Sequence, residues 1–121
     1  MQLHYLLFDA SDEASGYGSF DAMASVAPGR LPALLAEIST VLRWAHARFG
    51  PVGEAGEEAD WDFDLQAVAE PGIALPARYD TAHASVVLAP MPSAARTTIT
   101  LTLSGSPAFC AALREAFALD D

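Results

Sequence analysis

Carboxylates form the densest group of side chains that could do chemistry in this chain. Six of them lie between positions 54 and 64: Glu54, Glu57, Glu58, Asp60, Asp62 and Asp64. Converging carboxylates bind hard cations such as Ca²⁺ or Mg²⁺, but this spacing fits no metal-binding loop. A second acidic segment begins at Asp9, and it has Ala14 and Phe20 where an EF-hand loop needs Gly and Glu. We therefore expect no bound metal and a solvated acidic rim.

Asp62 and Asp64 belong to a run in which apolar and polar residues alternate, so both side chains point to one face of a strand. Paired carboxylates can act as general acid and base when their surroundings drive their pKa values apart. A polar strand face explains this pair without catalysis. We expect no catalytic role for either residue.

The histidines and the single cysteine offer no stronger site. His4 and His83 could share a sheet face on adjacent strands, but a transition metal would need a third ligand. His46 and Cys110 lie at the border and in the middle of helical apolar stripes, where a half-buried ring and an inert thiol are ordinary. The chain has no nucleophile elbow, phosphate loop or dinucleotide motif, and we expect no cofactor.

Residues 31–49 have apolar side chains at the period of a helix with one buried face, and Gly50 marks the end of that helix. Trp44 falls about 120° from the centre of the apolar stripe, beside Arg48. Trp and Arg are frequent anchors of protein interfaces, which makes this pair a candidate binding site. The alternative is that a loop, such as residues 71–76, covers the indole ring.

The remaining elements follow from alternation and from Gly and Pro positions. Residues 9–17 are predicted as a long hairpin tip and residues 70–80 as a connection. Ser106 and Pro107 are typical of the start of a second helix, whose apolar stripe includes Phe109 and Phe117. Five segments are predicted as strands: 3–8, 20–26, 61–67, 82–88 and 97–103.

The resulting order, ββαβββα, predicts an α+β fold in two layers. A five-stranded, mostly antiparallel sheet carries both helices on one face, and its last three strands form a meander. A length of 121 residues suits one domain, residues 1–121.

The other face of this predicted sheet is a candidate interface. If the two strand histidines share that face, Leu6 and Phe8 point outward too, together with Met23 and Val87. Contiguous exposed apolar patches usually mark interaction sites. The patch would serve a protein partner, a second copy of the chain or a small ligand.

Charge and composition limit the partners. The formal charge is −10, and residues 49–77 contain seven acids and no base, so nucleic acid is a poor partner and a basic protein a good one. Neither a basic leader nor an apolar run of about 20 residues is present, so we expect a cytoplasmic protein that does not enter membranes. All six bases are Arg and Asn is missing, which is typical of a GC-rich bacterial genome.

These observations favour a non-catalytic protein-binding or regulatory module that binds a basic partner, similar in character to small inhibitors, immunity proteins or chaperones. Its expected contacts are the acidic series, Trp44 with Arg48, and the outward Leu6 and Phe8. A small enzyme or ligand-binding domain that uses the outer sheet face, and a subunit of a homodimer or larger homo-oligomer, are the alternatives.

Overall fold

A computed structural model describes residues 3–12, 16–50, 61–89 and 95–119. Its elements in chain order are β1 (Asp9–Asp12), β2 (Gly18–Val26), α1 (Leu31–Phe49), β3 (Trp61–Ala69), β4 (Ile73–Leu75), β5 (Ala77–Asp80), β6 (Ser85–Leu88), β7 (Thr97–Gly105) and α2 (Pro107–Phe117). A single turn of 3-10 helix, Pro28–Arg30, leads into α1.

α1 begins and ends where the sequence indicates, and α2 begins where it indicates. Gly50 follows α1 with a φ of 82°, a left-handed conformation that favours glycine, and its N–H donates to the carbonyl of His46. The Ser106 hydroxyl accepts from the N–H of Phe109 at 3.2 Å and caps α2. Local capping and apolar periodicity therefore determine both helices.

The main sheet is antiparallel and has the strand order β1-β2-β7-β3-β4. Its three long strands, β2, β7 and β3, alternate strictly between two faces. The inner face carries apolar residues, among them Phe20, Ile99 and Leu101, and the outer face carries Ser, Thr and Asp. One face of the sheet is therefore buried in the core, and the other face is exposed to solvent.

Both helices pack on the inner face. The Trp61 ring of β3 contacts His46 of α1 edge-on at 4.9 Å and stacks on Phe109 of α2 at 5.7 Å, so α1 and α2 meet the same side of the sheet. The stripe of α1, from Leu31 to Ala45, is buried in the same core. The predicted α+β architecture, with a five-stranded sheet and two helices, is confirmed.

A second, two-stranded sheet consists of β5 and β6. It packs beside α1 through the buried Ser39, whose hydroxyl donates to the Leu35 carbonyl at 2.7 Å and accepts from the Val86 N–H at 2.9 Å. One side chain thus satisfies a backbone donor of β6 that would otherwise lack a partner.

The predicted first strand, residues 3–8, is wrong. These residues form no strand, and the first strand is β1, which lies in the segment predicted as the hairpin tip. The segment 3–8 instead passes over α1. The Leu6 side chain is buried in the core, with 5% of its surface exposed, whereas Leu7 is 85% exposed to solvent. The apolar residues at both odd and even positions of 3–8 therefore belong to an irregular segment, not to a strand that is buried on both faces.

The predicted meander is also wrong. Residues 70–80 contain β4 and β5, and the strand predicted at 82–88 begins at Ser85 and belongs to the second sheet. β3 pairs directly with β7 along its whole length. Short strands such as β4 give too few residues for alternation to be recognised.

Candidate functional site

The outer face of the main sheet gathers four carboxylates from strands distant in sequence. Asp9 of β1 pairs with Asp21 of β2, and the register continues from Asp21 through Thr102 to Asp64 of β3. Asp62 lies two residues from Asp64, about 7 Å away on the same strand face. All four aspartates are exposed. The result is an acidic end of the outer face.

Hydrogen bonds hold these carboxylates across the surface. The Thr102 hydroxyl donates to Asp21 Oδ1 at 2.7 Å, and the Gln66 amide donates to Asp64 Oδ2 at 3.0 Å. Asp62 Oδ1 accepts from the N–H of Phe63 at 2.8 Å. Because each bond leaves further lone pairs open to solvent, the carboxylates can still accept from a cation.

The described strand residues of the outer face carry no base, and the Arg96 guanidinium lies at the end opposite the aspartates. Arg96 Nε donates to the Ser25 hydroxyl at 3.1 Å and its terminal nitrogen donates to the Ser25 carbonyl at 3.0 Å. Ser25 is four residues along β2 from Asp21. The face is therefore polarised along its strands, acidic at one end and weakly basic at the other.

An aromatic side chain accompanies the acidic end. Tyr17, 45% exposed, lines a shallow pocket of about 80 Å³ with Asp62, Ser104 and neighbouring backbone. Tyrosine combines a rigid apolar ring with a polar hydroxyl and is enriched in protein interfaces. The acidic end thus offers charge, hydroxyls and one aromatic ring in a small area.

No family model, no curated protein and no solved structure matches this chain.

Of the predicted acidic series, the structure brings Asp62 and Asp64 onto the outer face with Asp9 and Asp21. The other four members, Glu54, Glu57, Glu58 and Asp60, lie outside the described residues. Within the described ranges no group of three or more His, Cys, Asp or Glu side chains could hold a metal ion.

Leu6 and Phe8 do not lie on the outer face, contrary to the prediction. Leu6 is buried in the core, and the Phe8 ring meets the inner-face residue Phe20 edge-on at 6.5 Å. The error follows from the wrong first strand, since that strand would have placed both side chains outward. Of the predicted apolar patch only Met23 is on this face, 69% exposed, because Val87 belongs to the second sheet.

His4 and His83 share no sheet face. His4 lies in the irregular segment before β1, and His83 lies in the turn between β5 and β6, where its Nδ1 contacts Asp80 Oδ2 at 2.6 Å. This hydrogen bond lowers the pKa of the Asp80 carboxyl. His46 is half-buried, as its border position indicates, and stacks on Tyr79 at 4.6 Å.

Trp44 is half-buried and is covered by α2, not by residues 71–76. Its ring lies 5.4 Å from Phe117 and 6.2 Å from Phe109, between centroids. With Arg48 and α2 residues it borders a groove of about 390 Å³ between the helices. The indole therefore belongs largely to the core, with one side open to this groove.

A cavity of about 600 Å³ lies between residues 3–5 and the outward side of α1, with Arg30 and Thr40 in its wall. The Glu37 carboxylate at this cavity accepts from the backbone N–H groups of His4, Tyr5 and Leu6, the last two at 2.8 and 2.7 Å. This carboxylate is engaged within the chain, so we assign it a structural role.

Sequence reasoning missed Tyr17, Asp9 and Asp21 as members of a site. The alternation Phe20, Ala22, Ala24 already implies that Asp21 faces the opposite side, and this signal could have found it. The pairing of Asp9 with Asp21 depends on strand register across a turn, which the sequence does not encode locally.

Proposed function

We propose that this chain is a non-catalytic protein-binding module that uses the acidic end of its outer face to bind a basic partner. The observation that carries the proposal is the convergence of Asp9, Asp21, Asp62 and Asp64 on one open sheet face. No described element covers that face.

The charge arrangement supports this function. Asp9 and Asp21 lie directly opposite each other, and like charges in such a cross-strand pair are unfavourable until a cation lies between them. A field of one sign accelerates the approach of an oppositely charged protein and excludes like-charged ones. The net charge of −10 extends this preference over the whole molecule.

The flat, hydroxyl-rich surface also supports a protein partner over a small substrate. The pocket at the acidic end has a volume of only about 80 Å³, whereas small-molecule sites usually enclose roughly 300 Å³ or more. Tyr17 and the exposed Met23 provide apolar contact area beside the charges. These features are typical of the anchors and polar surroundings of a protein interface.

Capture from an extract of the source cells tests the proposal with matched charge variants. Wild-type protein is compared with Asp21→Asn/Asp64→Asn and with Glu70→Gln/Glu115→Gln, which removes the same charge from exposed residues elsewhere. We expect a basic protein to bind the wild type and the Glu variant, and to be lost from the Asp variant. Raising salt to about 1 M, where the Debye length is about 3 Å, should release it.

A partner that binds all three proteins equally, or that resists high salt, would contradict the acidic outer face as the binding surface. Purified partner and titration calorimetry then give the affinity. Each aspartate on the outer face should account for an affinity loss of about 1.4-fold to fivefold, the range of exposed charge pairs.

A further inference from the structure

β3 is paired along its full length on one side but only partly on the other. All nine of its residues pair with β7, whereas β4 pairs only with Ala67, Val68 and Ala69. Within the described ranges no strand pairs with the other side of residues 61–66, here called the β3 edge. β5 passes close to β3 but pairs only with β6, so this edge, about 20 Å long, keeps unpaired backbone groups that are a template for another strand.

The direction of the backbone groups along the β3 edge follows from their neighbours. The N–H of Glu70 donates to the Arg96 carbonyl, on the β7 side, and the carbonyl of Ala69 accepts from Gly72, on the β4 side. Because alternate residues of a strand turn their N–H and C=O to the same side, the odd-numbered Trp61, Phe63 and Leu65 face the open side.

One of these open donors is already capped by a carboxylate. The Phe63 N–H, which faces away from β7, donates to Asp62 Oδ1 at 2.8 Å. Such a cap blunts the edge in the free protein. When another strand supplies a carbonyl to this N–H, the Asp62 carboxylate becomes available to a cation.

The two sides of the β3 edge differ in polarity. Phe63 and Leu65 are half-buried on the inner side, while Asp62 and Asp64 are exposed on the outer side. A strand laid along this edge would place alternate residues beside apolar side chains and beside carboxylates. Its complement is a segment in which apolar residues alternate with Lys or Arg.

The same charges oppose a second copy of this chain. Antiparallel pairing of two β3 edges would bring the aspartates of one copy against those of the other, and like charges opposite each other destabilise a strand pair. Charge complementarity therefore selects a basic segment as the occupant.

We propose that a basic partner adds an extended segment as a new strand to the β3 edge, with its apolar residues over Phe63 and Leu65 and its Lys or Arg residues over Asp62 and Asp64. This mode of binding rests on the proposed function and specifies how the partner is held. Main-chain hydrogen bonds would supply affinity, and the alternating pattern would supply specificity.

Three synthetic peptides of equal charge test the strand addition. One alternates Lys and Val, the second has the same residues with all Lys before all Val, and the third alternates but carries N-methyl groups on the bonds that would donate to β3. With ¹⁵N-labelled protein at low salt, we expect the alternating peptide to bind at least tenfold more tightly than the other two. The amides of Trp61 and Leu65 should gain protection from hydrogen exchange.

Two protein variants with equal charge changes localise the peptide. Asp62→Asn/Asp64→Asn should weaken binding of the alternating peptide severalfold more than Asp9→Asn/Asp21→Asn, because the second pair lies on β1 and β2, beyond β7 from the β3 edge. The Asn side chains keep hydrogen-bonding capacity, so both variants should remain folded.

The outcomes separate this inference from the proposed function. If all three peptides bind equally and the two variants lose affinity equally, strand addition is wrong while binding of basic partners to the outer face stands. If no peptide binds even at low salt, both proposals fail.

Discussion

A single carboxylate holds the irregular N-terminal segment on α1. Glu37 is one helix residue, yet its two oxygens accept from three consecutive backbone N–H groups, those of His4, Tyr5 and Leu6. Because this segment has no strand partner, its backbone donors depend on that side chain. The buried Leu6 side chain provides the second attachment.

Replacing Glu37 should therefore destabilise the fold. Glu37→Ala leaves three backbone donors, two of them partly buried, without their acceptor, and we expect a loss of about 1–3 kcal/mol in the free energy of unfolding. Urea denaturation measures it, with Glu115→Ala, at an exposed position of α2, as the matched control. Equal stability of the two variants would show that Leu6 alone holds the segment.

Cys110 should make the fold sensitive to alkaline pH. Burial raises the pKa of its thiol, which is 3% exposed between α2 and β2. An unfolded thiol ionises near pH 8.5, so stability is full below that pH and is lost as pH rises toward the higher folded pKa. A side chain at Gly18 would lie within 3.0 Å of the sulfur, which shows how closely the thiol is enclosed.

The measurement is the free energy of unfolding of wild type and Cys110→Ala between about pH 7 and pH 9.5. We expect the wild type to lose stability more steeply than the variant over this range. Parallel curves would mean that the thiol is not the responsible group.

At the scale of elements, Ser39 joins α1 to the second sheet. We expect Ser39→Ala to cost about 1–3 kcal/mol, because the buried Val86 N–H then loses its acceptor. Thr40→Ala is the control, since the Thr40 hydroxyl donates to the Ala36 carbonyl within the same helix, in an exposed hydrogen bond. Hydrogen exchange should show faster exchange at Val86 in the first variant alone.

The elements that sequence predicts well are those whose pattern is local and long. α1 has five turns of apolar periodicity, and β7 has Thr alternating with Ile99, Leu101 and Leu103, so neither needs knowledge of its neighbours. The β5–β6 pair is short and half-exposed, and it is attached to the core by the buried Val86 and Leu88 as well as by the hydroxyl of one serine in a distant helix. The pairing of β5 with β6 therefore depends on tertiary contacts, which a local sequence pattern does not reveal.

The candidate site likewise has one part that local alternation predicts and another part that depends on tertiary pairing. Alternation alone predicts that Asp62 and Asp64 share a polar face. Their meeting with Asp9 and Asp21 depends on the central position of β7, and the misplacement of Leu6 and Phe8 came from reading an irregular segment as a strand.

At the scale of the whole molecule, the excess of acids should make stability depend on salt. A charge of −10 opposes the compact state through self-repulsion, and salt screens it. Raising NaCl from about 10 to about 150 mM shortens the Debye length from about 30 to about 8 Å. We expect Tm to rise by roughly 2–5 °C.

The Asp21→Asn/Asp64→Asn variant serves as the comparison. It should melt at a higher temperature than the wild type at low salt and gain less on salt addition, because part of the repulsion has been removed. A Tm that falls with salt in both proteins would mean that attractive charge pairs outweigh the repulsion.

Within the described ranges no helix is long and apolar enough to cross a bilayer.

The strand order has a consequence for synthesis on the ribosome. β7 lies at the centre of the main sheet, between β2 and β3, although it is the last of the five strands to leave the exit tunnel. Until residues 97–105 emerge, β2 and β3 lack the neighbour that each pairs with along its whole length. Sheet assembly must therefore wait for most of the chain, and a nascent chain stalled before Thr97 would expose strands open to aggregation.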